Sequence, residues 1–280
     1  MNLEQAIAAA GMTPPSRIYP GRWLRFPGSG KGKSNRSGWC RLITPTLAIY
    51  GDWSSNFSAT WFDDAHRDDE TTQRLLAEAR IRERAFAAEQ RARQSAAAAR
   101  AESLIQEAVT RSHSYLSRKG FPERAGLVHD AKLIVPVHDV NDYNRIISLQ
   151  LIAENGEKRF LPGSRTRGGI HRIGAKLAGV MRLALCEGYV TGLSIKSALQ
   201  RLPGAHAVIV CFSAMNLQVI AESFPHAFVC ADNDESKTGE ETAKRTGLKW
   251  VMPPNVGDDF NDMHRRHGLY AVTEALRAMS

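Results

Sequence analysis

Short apolar runs alternate with helical patterns over the last hundred residues of the chain. The runs are Met181–Cys186, His206–Phe212, Ala227–Ala231 and Lys249–Met252. Each run has the length of a buried strand, and the segments between them carry apolar positions at helical spacing. Because strands that alternate with helices form parallel crossovers, this pattern predicts an α/β fold with an open, doubly wound, mostly parallel sheet.

The first 62 residues have a different pattern. A short apolar helix is predicted at Leu3–Ala10, and aromatic-rich stretches follow it, so residues 1–62 are predicted to form a small β-rich module. The Gly28–Ser34 stretch has the composition of a phosphate loop, but Pro27 stands where the spacing requires the leading glycine. We therefore interpret it as a basic loop that can contact nucleic-acid phosphates.

Two further segments separate this module from the α/β domain at residues 179–280. Residues 63–111 are rich in Ala, Arg, Glu and Gln and contain no Pro or Gly, so they predict a long helical spacer. The apolar positions in its middle, Ala85–Ala101, are mostly alanine, which favours a solvent-bridging helix. Residues 112–178 contain alternating strand patterns, which predict an α+β subdomain.

Acidic residues follow three of the four apolar runs. Glu187 comes directly after the first run, and Asp232 and Asp234 come after the third. The group after the fourth run consists of Asp258, Asp259 and Asp262. Ligands of such sheets bind at the carboxyl ends of the strands, so we expect these acids to converge there. Carboxylates in this number are typical of a magnesium or manganese site, whereas zinc favours His and Cys ligands that are not clustered in this chain.

The basic residues predict a polyanionic partner. The formal net charge is +8, and the acids are gathered at one place, which leaves the rest of the surface more basic than the net value. Five basic side chains occur together just before the acidic domain: Lys158, Arg159, Arg165, Arg167 and Arg172. They are predicted to hold an anionic template or a triphosphate against the metal site.

Other features exclude several classes of protein. The N-terminal residues lack the pattern of a secretory signal, and no apolar stretch is long enough to cross a membrane, so a cytoplasmic protein without membrane contact is expected. The four cysteines, Cys40, Cys186, Cys211 and Cys230, show no CxxC pairing. We expect them to be reduced core residues.

The acidic motifs resemble those of the Toprim domain, which is shared by bacterial-type primases, topoisomerases, certain nucleases and recombination mediators. The resemblance rests on Glu187-Gly188, Asp232-x-Asp234 and the Gly-Asp-Asp-Phe-Asn-Asp segment at residues 257–262. Residues 186–194 and 231–234 are most similar to primases of satellite phages and conjugative plasmids. Thr191 stands where replicative primases usually have an aspartate, as in that branch.

The segment before the acidic motifs is also similar to these primases. Their Ser-Leu-Gln strand corresponds to residues 148–150 and their Lys-Arg-Phe turn to residues 158–160, so the resemblance covers roughly Ser112 to His267. It implies metal-dependent synthesis of short primers on single-stranded DNA, from nucleoside triphosphates, during phage or plasmid replication in a bacterial cytoplasm. Because the chain shows no helicase domain, the resemblance implies a separate helicase partner.

The resemblance also implies roles for the acids. Asp232, Asp234 and the acids at residues 258–262 hold magnesium, and Glu187 either binds the metal through water or acts as general base. Two alternatives stay open at this point. A Toprim nuclease would use the same acids to cleave DNA, and a non-catalytic Toprim mediator would only bind DNA or proteins.

Overall fold

The computed structural model describes residues 1–55, 57–63 and 70–279, and the chain divides into two units, Met1–Ala88 and Glu89–Ser280. Among the described residues, no helix is both long and apolar enough to span a bilayer. Up to residue 63, the described part of the first unit contains one short helix and four strands: α1 Leu3–Ala9, β1 Trp23–Phe26, β2 Gly38–Thr44, β3 Leu47–Asp52 and β4 Phe57–Phe62. The strands form one antiparallel sheet in the order β1-β2-β3-β4.

Helix α1 packs on one face of this sheet. It begins with a capping box, in which the Asn2 side chain accepts a hydrogen bond from the Gln5 backbone N–H at 2.8 Å. Its buried Leu3 and Ile7 belong to one core with side chains of the sheet, which include the buried Cys40. The predicted helix at Leu3–Ala10 is therefore confirmed to within one residue.

The long helix α2 extends over Glu70–Glu107, and the predicted helical residues 64–69 lie outside the described residues. The last turns of α2 are partly buried. Ala97 and Ala101 are buried, and Ala101 and Leu104 share a core with Ile134 and Leu149. The expectation that the whole Ala85–Ala101 stretch bridges solvent is thus wrong at its end, because alanine is small enough to let the helix pack closely on the sheet.

The remaining elements belong to the second unit. They are β5 Val109–Arg111, α3 Ser114–Arg118, β6 Gly126–His129, β7 Lys132–Asp139, β8 Asp142–Ile152, β9 Lys158–Phe160, β10 Gly169–Gly174, β11 Arg182–Cys186, α4 Tyr189–Leu199, β12 His206–Val210, α5 Ala214–Ala221, β13 Phe228–Cys230, α6 Thr238–Thr246, β14 Lys249–Val251 and α7 Phe260–Arg277. Helix α7 is kinked at Gly268, which has a non-helical backbone (φ 77°, ψ 168°).

All ten strands of this unit form one mixed sheet. The order is β14-β13-β11-β12-β10-β7-β6-β5, and β8 pairs with β7 and β9. Strands β11 to β14 are mutually parallel, as predicted, but β10 joins β12 antiparallel and the pairings beyond it are antiparallel. The expectation of a mostly parallel sheet is therefore correct for β11 to β14 only. The tight turns between the earlier strands, such as the one between β7 and β8, can join only antiparallel neighbours.

Helices cover both faces of the parallel part of the sheet. Along β11, Ala184 and Cys186 belong to the core under α4 and α7, whereas Leu185 belongs to the core under α5. This alternation follows from the two-residue period of a strand, and it explains why β11 is apolar from Leu183 to Cys186. All four cysteines are buried and free, as predicted. The division into subdomains at residue 178 stays a prediction, and the sheet continues across it.

Candidate active site

Glu187 lies at the carboxyl end of β11, which is flanked by β12 and β13 in the sheet. The chain leaves β11 to form β12 on one side and then β13 on the other, which makes this end a topological switch point. Burial raises the pKa of Glu187, the backbone N–H of Ala214 opposes the rise by hydrogen bonding, and the charge of Asp234 adds to it. The first predicted acid thus lies where ligands of such sheets bind.

Phe212 follows β12 beside Glu187 and has a left-handed backbone, with φ at 67°. This conformation is rare for a bulky side chain and requires support from its surroundings. The Phe212 N–H donates to the Glu187 carbonyl oxygen at 2.9 Å, and the Phe212 ring contacts Phe160 of β9 edge-on, with ring centroids 5.6 Å apart. The β8–β9 hairpin therefore reaches the acidic end of the parallel strands.

Asp232 follows β13 and is the least satisfied of the acids. Its Oδ1 atom is buried and accepts no hydrogen bond from any residue that the structure describes. Burial raises the pKa of Asp232 to about 7, and the charges of Asp259, Glu187 and Asp234 contribute to the rise, while Lys158 lowers it. A nearby cation would stabilise the ionised form of this carboxyl group strongly, because the cation offsets both burial and the repulsion from the neighbouring acids.

Asp234, two residues further on, is engaged in local hydrogen bonds at the start of α6. Its carboxylate accepts the backbone N–H groups of Thr238 at 3.0 Å and Gly239 at 2.8 Å, as well as the Ser236 hydroxyl. Partial burial raises the pKa of Asp234, but these hydrogen bonds outweigh it and lower the pKa overall. The pKa values of the two aspartates in this motif are therefore shifted in opposite directions.

A backbone bridge brings the third acidic segment to the second. The Asn233 N–H donates to the Asp258 carbonyl oxygen at 3.0 Å. The buried Asp258 carboxylate pairs with Arg266 at 2.5 Å. Asp259 is the N-cap of α7, where its Oδ1 accepts the N–H groups of Asn261 and Asp262.

The predicted metal ligands are thus only partly brought together. The charges of Glu187, Asp234 and Asp259 each raise the pKa of Asp232, so these three carboxylates lie near enough to act on it. Asp258 and Asp262 lie at the start of α7, and the arginines Arg266 and Arg265 are their respective ion-pair partners. Within residues 1–55, 57–63 and 70–279, no three acidic, His or Cys side chains form a complete metal site. The uncommitted, buried oxygen of Asp232 nevertheless fits a divalent cation, since hard cations prefer carboxylate oxygen.

Basic side chains line a cleft of about 430 Å³ next to these acids. Its lining includes Tyr115, Lys119, Lys158 and Arg265. Burial and the charge of Lys119 lower the pKa of Lys158, while the charges of Asp259 and Asp232 raise it. Lys158 is therefore close enough to both aspartates to respond to their charge, and the cleft offers several cations to an anionic ligand.

The other predicted basic residues have different partners. Arg159 pairs with Glu157 at 2.6 Å, and Arg165 pairs with Asp139. The guanidinium of Arg172 lies over the ring of Tyr143, 4.1 Å from its centroid, and Arg167 is exposed. Of the five, Lys158 is the residue whose contacts connect it with the acids, and the nucleic-acid roles of the other four stay predictions.

Two further polar residues contact this region: Asn261, which was not singled out from the sequence, and Thr191, which was noted there only as a departure from replicative primases. Asn261 is fully buried, and its amide donates to the Lys119 carbonyl oxygen at 2.9 Å and to the Ser194 hydroxyl at 3.0 Å. The Thr191 hydroxyl donates at 2.9 Å to Oδ2 of Asp259, the oxygen that does not accept the N–H groups of α7. Asn261 thus connects the acidic segment to the basic cleft. The available signal was a short polar residue between the apolar positions Phe260 and Met263 at the start of α7.

Comparison with known proteins shows what this chain is similar to. Residues 182–269 match the Toprim domain family, so the acids of all three motifs lie within the matched segment. The chain is also similar to the DNA primase TraC of Escherichia coli. It is 30% identical to one TraC protein over 206 residues, which are 64% of this chain and 19% of the relative. A second TraC protein is 30% identical over 132 residues, 44% of this chain and 9% of the relative.

The chain therefore spans about a fifth or less of the length of the curated relatives it matches. Among solved structures, it is similar to the primase fragment of the bacteriophage T7 primase-helicase, with 13% identity, a TM-score of 0.44, and coverage of 61% of this chain and 77% of that one. The E. coli primase catalytic core has 16% identity, a TM-score of 0.37, and coverage of 70% and 72%.

Proposed function

We propose that this chain is a DNA primase that makes short primers on single-stranded DNA by metal-dependent nucleotidyl transfer. The observation that carries the proposal is the position of Asp232. Asp232 has a buried oxygen without a hydrogen-bond partner among the described residues, and its pKa is raised to about 7. A cleft lined by lysine and arginine lies beside it. A cation site beside an anion site is what the transfer of a nucleotide requires. The homology to TraC supports the same function.

In this proposal Asp232 is the central magnesium or manganese ligand. Asp234, Asp259, Asp258 and Asp262 are its candidate co-ligands, and they would exchange present hydrogen bonds or ion pairs for the metal. When bound, the metal lowers the pKa of the attacking 3′-hydroxyl and stabilises the pyrophosphate that leaves.

Glu187 has two possible roles, as a water-mediated metal ligand or as the general base that takes the proton of the 3′-hydroxyl. Its raised pKa brings it nearer to neutral pH, where a carboxylate is a better base. Thr191 keeps Asp259 oriented through its 2.9 Å hydrogen bond. A Glu187→Gln variant distinguishes the two roles, because loss of a metal ligand raises the magnesium concentration needed for the half-maximal rate, whereas loss of the general base lowers the rate at saturating magnesium.

The basic cleft binds the triphosphate of the incoming nucleotide. Lys119 and Lys158 provide positive charge there, and Arg265 extends it. Arg159, Arg165, Arg167 and Arg172 are proposed to contact the phosphates of the template strand. Single-stranded DNA and nucleoside triphosphates are thus the substrates, and a separate helicase is the partner that supplies the single strand in the bacterial cytoplasm.

The test is incubation of the full chain with single-stranded DNA, magnesium and labelled nucleoside triphosphates. We expect labelled oligomers a few nucleotides long, and we expect none from Asp232→Asn. An Arg245→Gln variant is the matched control, because this exposed residue pairs with Glu241 on α6 and belongs to neither the acidic group nor the cleft.

Other outcomes of this assay would contradict the proposal. Shortened DNA without incorporation of label indicates the nuclease. If wild-type protein neither extends nor cleaves and Asp232→Asn binds DNA like wild type, the domain is a non-catalytic mediator.

A further inference from the structure

The four-stranded sheet of the N-terminal unit has a second face that α1 does not cover. The pairing of β1 with β2 places Trp23 opposite Arg41 and Arg25 opposite Trp39. Directly opposed residues of paired strands project to the same side, so these four side chains share one face. The core beneath α1 is formed by the intervening residues, among them Leu24 and Cys40.

Three tryptophans form a row on the uncovered face. The ring centroids of Trp23 and Trp39 are 5.3 Å apart, and those of Trp39 and Trp53 are 5.5 Å apart. The middle ring is buried, whereas Trp23 is 52% and Trp53 60% exposed. Trp39 also lies against Gly51, where an added Cβ would come within 2.6 Å of the ring. The row is therefore held in place at its centre, and its two outer rings are open.

Positive charge accompanies these rings. The Arg41 guanidinium lies 5.8 Å from the centroid of the Trp23 ring, and that of Arg25 lies 6.0 Å from Trp53. The one acidic residue in the four strands is Asp52, which is 1% exposed and faces the other side, where it accepts the backbone N–H of Ser29 at 2.9 Å. The open face thus combines exposed indoles with arginine and has no acidic strand residue.

We infer that this face is a second binding surface for single-stranded DNA, separate from the acidic site. Bases stack on Trp23 and Trp53, and Arg25 and Arg41 neutralise the adjacent phosphates. Exposed aromatic rings beside basic groups bind single strands because every base has a free π-face, which is unavailable in a duplex. The charge of the face favours a polyanion over an apolar protein partner. The choice of DNA over RNA rests on the proposed function.

The surface requires no metal. Residues 1–62 contain a single cysteine, Cys40, and no histidine, and Cys40 is buried under α1. A zinc module needs four such ligands. Binding at this face is therefore expected to persist in a chelator, whereas magnesium-dependent chemistry at Asp232 is not.

The experiment is fluorescence anisotropy of a labelled 15-nucleotide oligo-dT with the full chain in EDTA. Replacing Trp23 or Trp53 by alanine should weaken binding about tenfold or more, as expected for the loss of one stacked base. Trp23→Phe should retain most of the affinity. Trp61→Phe is the matched control, since Trp61 belongs to the covered core and donates to the Met1 carbonyl oxygen at 2.7 Å.

Salt dependence and competition complete the test. Arg41→Gln should reduce the slope of log K against log salt by about 0.7, the contribution of one phosphate contact with a single strand. Unlabelled single-stranded DNA should displace the probe at lower concentration than duplex or RNA. The inference is overturned if the alanine variants, shown to be folded by circular dichroism, bind like wild type, or if duplex or RNA competes equally well.

The outcomes for the two sites are distinguishable. Tryptophan-dependent binding without primer synthesis refutes the proposed function alone. Primer synthesis with binding that is independent of Trp23 and Trp53 refutes the surface alone.

Discussion

The state of Asp232 leads to an unusual expectation: Asp232→Asn should stabilise the fold while abolishing activity. The buried Oδ1 atom accepts no hydrogen bond from the described residues, and burial together with three neighbouring acids raises the pKa of Asp232 to about 7. Asparagine has nearly the same shape and carries no charge. The substitution therefore removes the electrostatic cost and leaves the packing almost unchanged.

The sign of the pH dependence follows from the two pKa values of Asp232. In the unfolded chain the group titrates near its ordinary value of 3.8, whereas in the fold it titrates at about 7. Between these values the folded state holds a proton that the unfolded state has lost, so stability decreases as pH rises through this window and is constant above it. The difference corresponds to about 4 kcal/mol, which is an upper bound because the site is partly open to water.

The assay is urea unfolding of wild type and Asp232→Asn in EDTA, followed by circular dichroism at pH 4 and pH 8. The two proteins should be similar at pH 4, and the variant should be more stable at pH 8. Asp234→Asn is the matched control with the opposite sign, because its carboxylate accepts two backbone N–H groups and its pKa is lowered. It should lose stability at pH 8.

The stabilisation of the fold by magnesium is a second test of the role of Asp232. At a concentration a hundredfold above its Kd, a ligand of the folded state stabilises by about 2.7 kcal/mol. Wild type at pH 8 should gain a stabilisation of this kind from magnesium, and Asp232→Asn should gain little. If the wild type and the variant show the same pH dependence and the same response to magnesium, the reasoning about Asp232 is wrong.

Three further changes test other parts of the site. Asn261→Leu should lower the urea midpoint, because a backbone carbonyl and a hydroxyl lose their buried donor at about 1–3 kcal/mol each. Lys158→Gln should raise KM for nucleotides more than it lowers kcat in steady-state assays, since it removes charge from the cleft. Gly239→Ala should reduce the melting temperature, because its Cβ would lie 2.2 Å from the Asp232 carbonyl oxygen, whereas Gly32→Ala, with open space around it, should not.

Local pattern was sufficient to predict the parallel strands and the helices between them. The ends of the four strands differ from the predicted ends by at most two residues, as for Met181–Cys186 and the observed Arg182–Cys186. The N-cap of α5 is a serine, Ser213, whose hydroxyl accepts the Asn216 N–H at 3.3 Å. Such features depend on neighbours within one turn or one strand, and this information is present in the local sequence.

The pairing of distant segments could not be predicted from the local sequence. Nothing local indicates that β10 joins β12 antiparallel, or that the end of α2 packs on the sheet through Ala101. The cleft beside the acids is formed by residues from α3, the β8–β9 turn and α7, and only the chain path brings Lys119 and Lys158 together. Strand partners and packing faces are decided by competition among all apolar surfaces of the chain.

The sequence by itself determined that acids stand at successive strand ends and that bases precede them, because residue type and strand position are local properties. Only the tertiary structure decided which acid is available. Asp232 and Asp234 are the same residue type two positions apart, yet one has its free oxygen buried near other carboxylates and the other accepts the N–H groups of a helix start. That difference arises because the pKa of a carboxyl group depends on the dielectric, charges and donors that the folded chain places around it.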